Sequence, residues 1–164
     1  MRQVLRVLTV VATAGLFIQF GCKDSGTRSE NGQWESLGFE DKLALRLVLA
    51  EPYLYVCAGS DGLWRRNVRQ SGANWENLGL ADTSLGKYIN RGVRDVLIHR
   101  DNPDWILVAY QPHQATDHGV YRSLDGATSW APADSGMEFI EDGITTYKRL
   151  RRFVAYPTYI LGGG

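Results

Sequence analysis

The sequence is short of the residues that metal and redox chemistry needs. Its two cysteines, Cys22 and Cys57, form no CxxC pair, and its three histidines, His99, His113 and His118, make no zinc-binding pattern. Neither a metal nor a cofactor is expected. Charge of one sign is also missing: 18 Lys and Arg balance 18 Asp and Glu. No strong field then draws nucleic acid or an acidic surface, and a polyanion partner is disfavoured. The apolar run from Val7 to Phe20 falls short of the roughly 20 residues of a membrane span. Beyond that run no stretch has a convincing helical period.

What is present points to strands. The 164 residues are 44% hydrophobic and 11% aromatic, enough to bury the core of one ordinary domain. With 18 Gly, 8 Tyr and 5 Trp, the composition is that of many tight turns joining strands with bulky side chains. The expected fold class is all-β.

The N-terminus reads as an address. Arg2 and Arg6 precede the apolar run, which closes on Gly21 and Cys22. This end resembles the bacterial lipoprotein lipobox, although Gln19 stands where an aliphatic residue is usual. The resemblance implies that residues 1–21 are a cleaved signal and that Cys22 carries a lipid. It further implies an exported protein of the bacterial envelope, held at the outer membrane or cell surface, with Lys23 giving no inner-membrane retention signal. An ordinary secretory signal or an uncleaved anchor is the alternative. The polar residues 22–33 read as a flexible tether, and the folded part, 34–164, begins at Trp34. Cys57, within "YLYVCAG", is expected as a buried small hydrophobe.

The folded part repeats. "WESLGFED" from Trp34 and "WENLGLAD" from Trp75 agree in five residues at a spacing of 41. "PYLYVCAG", "PDWILVAY" and "PTYILGGG" are three copies of one apolar strand, preceded in the first two units by "LALRLVLA" and "VRDVLIH". "GLWRRNVRQSGANW" from Gly62 parallels "GVYRSLDGATSW" from Gly119. Gly62, Gly119, Trp34 and Trp75 are therefore expected to be structural. Three or four short strands in roughly 40 to 50 residues is the size of one propeller blade, so the chain holds about two and a half blades of a partial β-propeller.

Within the second unit, "SLDGATSW" from Ser123 to Trp130 resembles the Asp-box (BNR-like) turn of sialidase, Vps10/sortilin and photosystem-assembly-factor-like propellers. Ser123, Asp125 and Trp130 match it, while Ala127 and Ser129 depart from its Gly and Thr; the first unit keeps only Gly72 and Trp75, with Gln70 at the Asp position. Asp125 can accept hydrogen bonds from turn N–H groups, Gly126 can take a positive φ, and Trp130 can cover the blade edge. These are structural roles, and no catalytic residue is assigned. Closed propellers have roughly 4 to 8 blades, so the chain is expected to be the N-terminal fragment of a longer propeller. A ring completed by association and an unclosed stack are the alternatives.

Three functions fit such a scaffold. The first is a lipid-anchored, non-catalytic module binding a protein, peptide or glycan through Tyr88, Tyr110, His113 and His118, the histidines lying in the insertion "QPHQATDH". The second, implied by the Asp-box resemblance, is a glycosidase of the sialidase type. Arg65, Arg66, Arg91 and Arg94 would serve as cationic ligands, with carboxylates among Asp61, Asp104, Glu141 and Asp142; the Arg-Ile-Pro motif of sialidases is absent. The third is an envelope assembly factor or scaffold. The basic "YKRLRRF", Tyr147 to Phe153, reads as a strand with one solvated face.

Overall fold

Apolar residues that alternate between turn-forming glycines and prolines fold here into antiparallel strands. The structure, a computed structural model, describes residues 36–82, 91–113, 118–155 and 160–163, all within the unit Ser36–Gly164. The expected lipid site Cys22, the repeat residue Trp34 and the ligand candidate Tyr88 lie outside the described residues, as do the leader and tether.

Strands β1 (Arg46–Ala50), β2 (Tyr53–Cys57), β3 (Leu63–Asn67) and β4 (Glu76–Asn77) form one four-stranded meander in that order. Strands β5 (Gly92–Ile98), β6 (Ile106–Gln111), β7 (Val120–Ser123) and β8 (Ala131–Pro132) form a second. Then come a hairpin of β9 (Glu138–Glu141) with β10 (Ile144–Tyr147) and a pair of β11 (Arg152–Ala155) with β12 (Ile160–Gly163). No helix occurs among the described residues. The fold is all-β, two four-stranded blades and half of a third, as the repeat spacing predicts. The β9–β10 hairpin is an insertion that the repeat does not announce. It turns on Asp142 and Gly143, at φ 51° and 75°, the pair of left-handed residues that two-residue hairpins favour.

"YKRLRRF" is not one strand. Tyr147 ends β10, Arg152 and Phe153 open β11, and Lys148 to Arg151 join them, so its cations are spread over two elements and a connection.

The meanders stack face to face. Tyr55, Cys57 and Leu63 of the first blade meet Val96, Ile106, Val108 and Tyr110 of the second in one buried cluster. On its other face the second blade buries Ala109 and Val120 against Phe153 of β11. Burial of each Val, Leu, Ile or Phe side chain among them stabilises by about 1.5–3 kcal/mol, so the second blade, covered on both faces, anchors the unit. The seam between blades is tightest where Gly59 and Val93 exchange backbone hydrogen bonds of 3.1 and 2.9 Å. A Cβ on Gly92 would lie 2.1 Å from the Gly59 carbonyl oxygen, and Gly92 has φ +80°, so glycine alone fits there.

Asp95 ties three blades together. A register shift between Val93 and Asp95 places its side chain, 1% exposed, in the seam. It accepts hydrogen bonds from the Val96 N–H and from the Phe153 N–H of β11, each at 2.9 Å, and forms an ion pair with Arg46 of β1. The Arg46 Nε–H is not aimed along a good hydrogen bond, so the two backbone donors hold Asp95 and Arg46 supplies charge.

Cys57 is fully buried beside this group, as expected of a small hydrophobe. Burial, reinforced by the charge of Asp95 and opposed by that of Arg46, pushes its thiol up to about 12. Iodoacetamide at pH 8 is therefore expected to leave Cys57 unmodified in the folded protein and to alkylate it in urea, as read by mass spectrometry. Rapid modification of the folded protein would contradict the packing of β2.

Candidate functional site

In an antiparallel meander successive connections alternate between the two ends of the sheet. One end carries the connections β1–β2, β3–β4, β5–β6 and β7–β8. The other carries β2–β3, β4–β5, β6–β7 and the long passage from β8 to β11 that contains the β9–β10 hairpin.

The Ser123–Trp130 turn stands at the first end and is satisfied from within. Ser123 Oγ donates to Asp125 Oδ1 at 2.7 Å and accepts from the N–H groups of Ala127 at 2.8 Å and Asp125 at 3.3 Å. Asp125 also accepts from the N–H of Ser129 at 2.9 Å and from the Ser129 hydroxyl. The Ser129 side chain and N–H, then the Ser123 hydroxyl, hold the Asp125 carboxyl down at about 2. Gly126 takes φ +69°, and Ala127 takes φ 74°, a conformation costly for a residue with a Cβ. The indole of Trp130 reaches back to the first blade and donates to the Leu78 carbonyl at 2.8 Å. Trp75 does the same one unit earlier, donating to the Leu37 carbonyl at 2.7 Å. Since Leu37 and Leu78 hold equal places in the "WExLG" repeat, each tryptophan fastens its blade to the unit before it. With its lone pairs committed to the turn, Asp125 is a poor proton acceptor for catalysis.

The Asp125 pKa lies below the ordinary 3.8. Its contribution to stability is thus complete above about pH 4 and is lost as pH falls through 2. Asp125→Asn is expected to remove this share of the acid dependence, measured as a flatter plot of urea midpoint against pH below 4. An unchanged plot would mean that the turn does not hold the carboxylate.

The second end holds a half-exposed cluster. His118, two residues before β7, places Nδ1 2.8 Å from Asp134 Oδ1, and the other oxygen of Asp134 accepts the Gly119 N–H at 2.7 Å. Asp134 is 1% exposed, whereas the His118 side chain is 35% exposed. A carboxylate only accepts, so Nδ1 is the donor in this contact and Nε2 takes no part in it. The His118 ring packs on Tyr147 of β10, with centroids 4.6 Å apart, and meets Tyr121 edge-on at 6.2 Å. Gly119 fixes the approach of β10 to β7: a Cβ there would stand 2.5 Å from the Lys148 carbonyl oxygen.

The other expected ligand residues go elsewhere. Tyr110 is 9% exposed and lies in the core, edge-on to Tyr121 at 5.5 Å, so its ring offers no stacking face; the inward register of β6 overrides its place beside the insertion. His113 is exposed and accepts from Arg91, which also donates to the His113 carbonyl. Structural partners take the proposed cationic ligands too: Arg65 pairs with Glu76 and lies 4.8 Å over the Tyr53 ring, and Arg66 reaches the Leu37 carbonyl. Asp61, in the β2–β3 connection, and Asp104, in the β5–β6 connection, lie at opposite ends of the sheets and cannot flank one glycosidic bond. Asp142 is the hairpin turn residue. Asp134 and Tyr147, which complete the cluster at His118, were not singled out by the sequence. No group of His, Cys, Asp or Glu suited to a metal occurs among the described residues. Compared with known protein families and with curated proteins, the chain matches none.

Proposed function

We propose that this chain is a segment of an Asp-box-type propeller, exported and lipid-anchored at Cys22, that binds a peptide or glycan at the end bearing His118 and does no chemistry on it. The observation that carries this reading is the His118–Asp134–Tyr147 cluster: a buried carboxylate fixes a part-exposed imidazole that packs on an aromatic ring. A hydrogen-bonding nitrogen next to an aromatic surface suits sugars and peptides, which present apolar and polar groups together. Against catalysis stand the engagement of Asp125 and Asp134 in fixed hydrogen bonds and the separation of Asp61 from Asp104.

The test is binding of the full chain to a glycan array and to peptides from an envelope extract, beside a fluorogenic glycoside assay. The expected result is a ligand whose affinity drops about tenfold or more in His118→Ala and Tyr147→Ala but not in Asp125→Asn, with no hydrolysis. Binding indifferent to both substitutions at this end, or turnover of the glycoside, would overturn the proposal.

A further inference from the structure

The β9–β10 hairpin is the element that the repeat does not call for. It stands in the passage between β8 and β11, outside the blade sheets, and among the described residues its two strands form a sheet by themselves. Each strand therefore has an outer edge.

Register shows which backbone groups lie on these edges. The two-residue turn at Asp142 and Gly143 makes Glu141 and Ile144 a hydrogen-bonded pair, and such pairs recur at every second position. Phe139 with Thr146 is the next, and the Lys148 N–H, donating to the Met137 carbonyl at 3.2 Å, continues the series. Glu138 and Ile140, the residues between, thus direct their N–H and C=O groups away from β10. Both are exposed, Ile140 at 77%. Their side chains share the face of Tyr147, which stands directly opposite Glu138 and packs on His118. On β10 the outward groups belong to Thr145 and Tyr147, and Tyr147 is half-buried, so β9 is the more open edge.

An open edge invites a further strand, and proteins commonly blunt it with Lys, Pro or a bulge. The β9 sequence Glu-Phe-Ile-Glu has none of the three. Its only charges are carboxylates, and Asp142 adds another at the turn, whereas the cations Lys148 and Arg149 follow β10, across the hairpin from this edge. Pairing with β9 of another copy would set like charges together, but a basic strand gains from the same groups. A glycan has no regular row of amides to pair with the strand.

We infer that β9 is a docking edge for an extended basic peptide, which adds antiparallel to the hairpin as a third strand, with an apolar residue opposite Ile140 and a Lys or Arg opposite Glu138. Running antiparallel, the peptide reads apolar-x-basic, and the amides of its apolar and basic residues face β9. This names the ligand class for the end bearing His118, and it rests on the reading that this end receives a ligand.

An NMR titration of the full chain, in one detergent throughout, with the synthetic peptide Thr-Thr-Val-Thr-Lys-Thr-Thr up to about 1 mM tests this. The Glu138 and Ile140 amides should shift and gain protection from exchange, whereas the Phe139 amide, already bonded within the hairpin, should gain little. N-methylation of the Val and Lys amides of the peptide should abolish the effect, and N-methylation of the Thr between them should leave it. Glu138→Lys, with far-UV dichroism unchanged, should weaken binding about tenfold or more and transfer the preference to the peptide with Glu in place of Lys. Equal responses to the Lys and Glu peptides in the wild type, or to the two methylated forms, overturn the inference. A silent β9, while His118→Ala weakens a ligand taken from the glycan or peptide screen, overturns the edge and leaves the reading of this end standing. A silent β9 together with no effect of His118→Ala overturns both.

Discussion

Asp95→Ala is expected to lower stability by about 3–5 kcal/mol, a large share of the 5–15 kcal/mol typical of a domain. The substitution leaves the Val96 and Phe153 N–H groups without an acceptor inside the protein and the Arg46 guanidinium beside a void. Each buried donor left alone costs about 1–3 kcal/mol. Asp95→Asn keeps one acceptor oxygen and should lose less, whereas Arg46→Ala, removing a side chain that is 33% exposed, should lose less again. Urea titrations followed by tryptophan fluorescence would rank the three. Because Asp95 touches the first and third blades from the second, its loss should also loosen β11, seen as faster amide exchange at Phe153 in Asp95→Asn than in wild type. Equal midpoints for wild type and Asp95→Ala would contradict the seam described here.

Trp130→Ala is the second large effect, at about 2–4 kcal/mol, somewhat below the range for fully buried aromatics because the ring is only half-buried. Trp130→Phe separates the two contributions. It keeps most of the apolar contact with the first blade and loses only the hydrogen bond to the Leu78 carbonyl, costing about 1 kcal/mol. Trp75→Phe should behave alike through Leu37, since both indoles hold the same kind of carbonyl one unit back. A phenylalanine as costly as alanine at Trp130 would show that the hydrogen bond, not the ring, fastens the blades.

How far these features can be read from the sequence depends on whether they repeat. The strands, their order and the tryptophan positions recur, and recurrence exposes them: "WExLG" marks the carbonyl that the next tryptophan grips, though the grip itself is visible only once the blades are stacked. The Ser123–Trp130 turn is local, closed by hydrogen bonds within seven residues, and its residue types announce the geometry. Asp95 is the opposite case. "VRDVLIH" reads as an ordinary strand with two charges, and nothing in it tells that a bulge will carry the Asp inward to the N–H of a residue 58 positions later. Asp134 had a fainter signal. It falls four residues after Trp130, where the first unit has Gly79 four after Trp75, and a carboxylate replacing a glycine at a repeat position marks a place where one blade does something its neighbour does not. Tyr110 lies in the core because strand register outweighs proximity to an insertion. It is the fifth residue of β6, on the face shared with Ile106 and Val108, and that face is core.

The stacked sheets depend most on the blade-to-blade seams, and amide and indole hydrogen exchange in an NMR spectrum reads them directly. The indole N–H protons of Trp75 and Trp130, bonded to carbonyls of the preceding unit, should exchange at least about tenfold more slowly than that of Trp105, whose side chain is 47% exposed. Their protection should fall together in Asp95→Asn. Indoles of Trp75 and Trp130 that exchange as fast as Trp105 would mean that the blades do not stack through these tryptophans, and the two ends of the sheets would lose the meaning given to them here.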